Sequence, residues 1–108
     1  MARLTEKCFI AMVLQLAKLC GWRVAHFRPA RTATGWRTPV QGDGKGFPDL
    51  LLIHERRGAL LVAELKVGRG KVTADQDAWL AAFEAAGVPA YLWSPAEWDQ
   101  IERVLKGE

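Results

Sequence analysis

The stretch Gly46-Phe47-Pro48-Asp49-Leu50-Leu51-Leu52-Ile53-His54-Glu55-Arg56-Arg57-Gly58-Ala59-Leu60-Leu61-Val62-Ala63-Glu64-Leu65-Lys66 decides how this chain folds. It contains two short apolar runs separated by a polar segment, His54-Glu55-Arg56-Arg57-Gly58. Short apolar runs bounded by turn residues read as buried strands, and the polar segment suits a hairpin turn. A two-residue loop at Arg56-Arg57, or a four-residue loop over 55–58, sets Asp49 opposite Glu64. Directly opposed residues have Cβ atoms about 4.5–5.5 Å apart. The side-chain period of two then puts Glu64 and Lys66 on one face of the sheet and Leu65 on the other. A loop of three or five residues would slip the register by one and part these groups.

Two carboxylates at that separation repel each other, and burial adds a cost of several kcal/mol unless cations or donors offset it. A divalent cation removes the conflict, and oxygen ligands of this kind suit magnesium or manganese. With two histidines and two cysteines far apart in sequence, a zinc site is disfavoured. A metal held by Asp49 and Glu64 could activate water and stabilise charge on a phosphoryl group, with Lys66 adding a positive charge or orienting the water. The chemistry expected is phosphodiester hydrolysis. The competing reading makes Asp49 a strand-start residue after Pro48 and Glu64–Lys66 a surface ion pair. The apolar flanks and the aligned register favour the shared cation.

Length and composition frame this site. The 108 residues suffice for one domain with one core, and 50% hydrophobic with 25% charged residues is ordinary for a globular protein. The net charge of +3 favours an anionic partner. Between positions 23 and 45 the basic residues Arg23, Arg28, Arg31, Arg37 and Lys45 are opposed only by Asp43. The apolar N-terminal stretch is interrupted by Glu6, Gln15 and Lys18 and lacks a small-residue cleavage site, so it does not read as a signal peptide. No run is long enough to span a membrane. Cys8 and Cys20 share one predicted helix, too far apart to bridge, and reduced cysteines point to an intracellular, cytoplasmic protein.

A first helix is expected from about Thr5 to Gly21, with Ile10, Val13, Ala17 and Cys20 on one stripe and Glu6 one turn before it. Glu6 could project from that face toward a cleft; its alternative role is an acid favourably placed at the helix N-terminus. Strands follow at 22–27, 47–54 and 59–67, then a helix at 73–86 and a strand at 88–93. Ser94-Pro95-Ala96-Glu97 carries a capping box and opens a last helix. The order α-β-β-β-α-β-α predicts an α/β domain, a small mixed β-sheet flanked by helices, with the last strand parallel to its neighbour through a right-handed crossover. Thr73-Ala74-Asp75-Gln76 is also a capping-box pattern, which competes with an active-site role for Gln76 because one amide cannot fully satisfy both demands.

From Gly46 to Leu105 the chain resembles the VRR-NUC domain, a branch of the PD-(D/E)xK nuclease superfamily. The matching residues are Phe47-Pro48-Asp49, Glu64-Leu65-Lys66 and Thr73-Ala74-Asp75-Gln76, and the helix carrying Glu6 extends the likeness over most of the chain. The resemblance implies a restriction-endonuclease-like core and a metal-dependent DNA nuclease. Its metal ligands would be Asp49, Glu64, the Leu65 carbonyl and Glu6; its catalytic set would be Asp49, Glu64, Lys66 and Gln76. Small stand-alone members include enzymes that cut Holliday junctions, which makes a bacterial or phage-infected cell a plausible setting.

Residues 29–45 lie outside this likeness, and 29–46 read as a basic, Gly/Thr-rich loop, long enough to suggest function. Arg31, Arg37 and Lys45 could contact phosphates, and Trp36 could stack on an unpaired base. Arg69 and Lys71 could form a second phosphate-contacting turn. Trp79, Trp93 and Trp98 are expected to pack. The reading is a magnesium- or manganese-dependent, structure-selective DNA endonuclease resolving branched DNA such as Holliday junctions, as a homodimer with two sites. A nicking or flap endonuclease is the nearest alternative, and a non-catalytic DNA-binding module the rival from another class.

Overall fold

The computed structural model describes residues 4–27, 30–32, 35–37 and 41–108, the two three-residue pieces by their backbone. Its elements are α1 (Glu6–Leu19), β1 (Arg23–His26), β2 (Ala30–Thr32), β3 (Gly35–Arg37), β4 (Leu50–His54), β5 (Ala59–Leu65), α2 (Ala74–Ala85), β6 (Ala90–Trp93), a 3-10 turn (Pro95–Glu97) and α3 (Trp98–Lys106). The α/β class and the mixed sheet are as expected. The sheet order is β1-β4-β5-β6, antiparallel except for the parallel β5–β6 pair, which is joined through α2.

The order of elements departs from expectation in one place. The segment 29–46, expected to be a loop, contains β2 and β3, which pair with each other in a sheet of their own. Three-residue strands built from Ala, Arg, Thr, Gly and Trp carry too little apolar alternation to be read from sequence.

The β4–β5 register follows from alternation. Leu50 pairs with Ala63, Leu52 with Leu61 and His54 with Ala59, so all six side chains share one face. That face is buried with Phe9, Val13 and Ala17 of α1 and Ile101 and Leu105 of α3. The turn between the strands is the four-residue 55–58 loop, closed by the Gly58 N–H donating to the Glu55 carbonyl at 3.2 Å. Gly58 takes φ +61°, a left-handed conformation that a side chain would resist.

In α1 the innermost line is Phe9, Val13 and Ala17, at i, i+4 and i+8, whereas Ile10 and Cys20 are half-buried on its flanks. Glu6 follows Thr5, whose side-chain oxygen caps the helix by accepting from the Cys8 N–H at 3.1 Å, and Glu6 is exposed. The helix α2 lies over the opposite sheet face and contains no fully buried residue. Among the described residues, no helix is long and apolar enough to cross a membrane.

Behind the sheet, His54 joins three elements. Its Nδ1 accepts from the Arg57 N–H at 3.2 Å, which leaves the ring hydrogen on Nε2, 2.9 Å from the Cys20 carbonyl. Its ring meets Trp22 edge-on at 5.3 Å, and the Trp22 indole N–H donates to the Leu105 carbonyl at 2.8 Å. His54→Phe keeps a ring here but leaves the Cys20 carbonyl and Arg57 N–H without these bonds. The expected loss is about 1–3 kcal/mol in urea denaturation; an unchanged midpoint would show that the ring nitrogens contribute nothing.

Candidate active site

The face under α2 carries the polar cluster. Extending the β4–β5 register by one pair sets Asp49 opposite Glu64. Asp49 is fixed from both sides: its carbonyl accepts from the Phe27 N–H at 2.8 Å, and its Oδ2 accepts from the Leu65 N–H at 2.9 Å. Fully buried Pro48 precedes it. Lys66 leaves β5 with its N–H donating to the Trp93 carbonyl at 2.9 Å, and its Nζ lies 3.4 Å from Glu64 Oε2.

Glu64 is the most constrained of these groups, at 2% exposure. Its Oε2 accepts from Gln76 Nε2 at 2.8 Å and faces Lys66, while its Oε1 is buried with no hydrogen-bond partner. Burial, with the Asp49 charge adding to it, pushes the Glu64 carboxyl up to about 7 against the pull of Lys66. Asp49 is also raised, chiefly by burial, with the Leu65 N–H and Lys66 opposing and the Glu6 charge contributing.

The structure corrects the expectation that Gln76 must divide itself between cap and site. Its Oε1 accepts from the Thr73 N–H at 2.9 Å while its Nε2 donates to Glu64, so the two ends of one amide do both. The donors and acceptors on either side fix the amide orientation. Its backbone N–H completes the box by donating to Thr73 Oγ1 at 3.1 Å.

Other expected site residues are distributed more widely. The charge of Glu6 is felt at Asp49, but among the described residues no group of three or more His, Cys, Asp or Glu is gathered for a metal. The hard-oxygen donors in hand are thus the two opposed carboxylates, with the Leu65 main chain beside them. Arg69 and Lys71 are exposed in the connection from β5 to α2. Lys45 is exposed and 3.5 Å from Asp75 Oδ2. Arg31 and Trp36 are paired positions on the β2–β3 hairpin, and Arg37 pairs with Ala30; the side chains of all three lie outside the described residues. Trp79 packs, as expected, beside Phe83; not anticipated from sequence is that Phe27 and Phe47 join them in one aromatic group, whose neighbouring rings lie 4.9–5.9 Å apart. Phe27 and Phe47 come from segments distant from α2 and share no spacing with its aromatic residues.

The VRR-NUC domain family model matches residues 10–94, from within α1 through β6. The chain belongs to the VRR-NUC domain family. This is a nuclease domain family of the PD-(D/E)xK type, which makes the chain a nuclease acting on DNA. Asp49, Glu64, Lys66 and Gln76 fall inside the match, and Glu6 precedes it. No curated protein and no solved structure matches the chain.

The raised Glu64 carboxyl sets a pH dependence in a VRR-NUC chain free of metal. Below its ordinary value of 4.5 it is protonated both folded and unfolded, so burial costs nothing extra. As pH rises to about 7 the unfolded chain ionises first, and above about 7 the folded state carries the buried charge. The stability lost over that window is on the order of 3 kcal/mol. In EDTA, Glu64→Gln should match the wild type near pH 4.5 and become progressively more stable than it toward pH 8, as read by urea denaturation. Parallel curves for the two proteins would contradict the burial argument.

Proposed function

We propose that this nuclease is a magnesium- or manganese-dependent endonuclease hydrolysing phosphodiester bonds in branched DNA, Holliday junctions included. The observation that carries the proposal is the bare, buried Glu64 Oε1 beside a second carboxylate of raised pKa. A buried oxygen without a donor is an unmet electrostatic demand, and two such acids with one lysine leave a net negative charge. A hard divalent cation satisfies both, so the residues present fit one.

Asp49, Glu64 and the Leu65 carbonyl would hold the ion, with Glu6 as a further acid at the margin. When bound, the ion supplies Lewis acidity toward a phosphoryl oxygen and lowers the pKa of a water. Hydrolysis joins the water oxygen to phosphorus and breaks a phosphorus–oxygen bond to the sugar, whose oxygen leaves with a proton. Lys66 supplies positive charge where the phosphate becomes more negative. Gln76 holds the Glu64 carboxylate in place through its amide hydrogen. The basic residues Arg31, Arg37, Lys45, Arg69 and Lys71 would bind the backbone, and Trp36 would stack on an unpaired base.

Two copies related by a twofold axis would offer two sites to a symmetric junction. Ile53 and Leu60, paired across β4–β5 and 37% and 38% exposed, provide apolar surface on the face that α2 only partly covers. Leu60→Lys should therefore shift sedimentation toward the monomer, and an unaltered profile would exclude this surface.

The main test uses labelled linear duplex, flap and four-way junction with magnesium, manganese or EDTA. Cleavage of the junction only with metal is expected, and Lys66→Ala should cut at least about a hundredfold more slowly while keeping most DNA affinity. Preference for a flap or single nicks would favour those alternatives, and binding without metal-dependent cleavage would favour a non-catalytic module. Manganese should also raise the thermal midpoint of the wild type but not of Asp49→Asn.

A further inference from the structure

Residues 43–47, between the β2–β3 hairpin and β4, lie against the N-terminal half of α2. The Trp79 indole N–H donates to the Asp43 carbonyl at 2.9 Å, and Lys45 pairs with Asp75 at 3.5 Å. The Phe47 ring meets Trp79 and Phe83 edge-on, with centroids 5.0 and 5.8 Å apart. Between these contacts Gly46 approaches the helix backbone itself. A Cβ on Gly46 would lie 2.6 Å from the Asp75 carbonyl carbon and 2.7 Å from the Gln76 nitrogen. Its φ of +83° adds strain for any other residue. Two main chains in contact cannot yield as a flexible side chain can.

This contact bears on the site because of what it touches. Gln76 donates to Glu64 from the first turn of α2, and α2 has no fully buried side chain to fix its depth over the sheet. The segment that meets Gln76 leads within three residues to Asp49. We propose that residues 43–47 form a clasp that positions Gln76 over Glu64, and that Gly46 is a positioning residue of the nuclease site. Its consequence for catalysis rests on the reading under Proposed function; the contact with Glu64 does not.

The test is Gly46→Ala in the full chain, followed first by nitrogen-15 NMR of the Gln76 side-chain amide. Glu64→Ala supplies the reference for that amide without its acceptor. In Gly46→Ala the Gln76 amide signals should move from the wild-type position to the reference position while the remaining spectrum stays dispersed. Signals that stay at the wild-type position would overturn the clasp. Should Gly46→Ala fail to fold, Trp79→Phe removes the indole N–H bond to Asp43 without adding bulk and is read by the same two outcomes. In cleavage assays kcat should fall between about ten- and a hundredfold, with KM for DNA nearly unchanged. The double variant with Gln76→Ala should be no slower than the slower single variant, whereas additive losses would mean that Gly46 does not act through Gln76. A wild type that cuts no DNA with either metal would remove the metal-dependent reading under Proposed function and leave the NMR outcome to decide the clasp.

Discussion

Two carboxylates held opposite each other across β4 and β5 are the constraint around which the rest is arranged. Their mutual repulsion and the burial of Glu64 both disfavour the ionised pair, and the fold supplies partial compensation only. Asp49 receives one main-chain N–H, and Glu64 receives one amide hydrogen and a lysine. One oxygen is left bare. Each compensating group comes from a different place: the Leu65 N–H from β5, Gln76 from α2 and Lys66 from the residue that follows β5. The site therefore exists only when the strand register, the β5–β6 pairing and the seating of α2 are correct together.

The register carries most of that burden. A slip of one residue would send Glu64 into the apolar layer beside Phe9, Trp93 and Ile101 and bring Leu65 out under α2. The alternation of buried and exposed positions along β4 and the closed 55–58 turn make that slip costly. The pairing of Asp49 with Glu64 was legible in the sequence only for a turn of even length, and the four-residue 55–58 turn selects that register. The capping box at Thr73 and Gln76 was legible because its spacing is local. That Gln76 could serve cap and carboxylate at once was not, because it depends on where α2 lands.

What sequence reasoning missed is governed by contacts between distant backbones. The hairpin of β2 and β3 has strands too short for a periodic signal, so its pairing rests on hydrogen bonds that composition does not encode. In α1 the innermost line begins at Phe9, one position from the expected Ile10, since a stripe drawn at helical spacing leaves its own centre undetermined by one residue. Gly46 resembles an ordinary turn glycine until the helix backbone is seen beside it. The aromatic group around Phe47 likewise joins residues separated by up to 56 positions, as in Phe27 and Phe83.

The surface charges obey a different logic from the site. Lys45 and Asp75 form an exposed pair at 3.5 Å, an arrangement that contributes little to stability and is weakened by salt. The Lys66–Glu64 pair is the reverse, because removing Lys66 would leave the buried Glu64 carboxylate without its counter-charge. Lys45 can thus be altered with small effect on the fold. A change at Glu64, Lys66 or Gln76 instead reaches the seam between the sheet and α2, where one ion pair and one amide hydrogen bond meet on a single buried carboxylate.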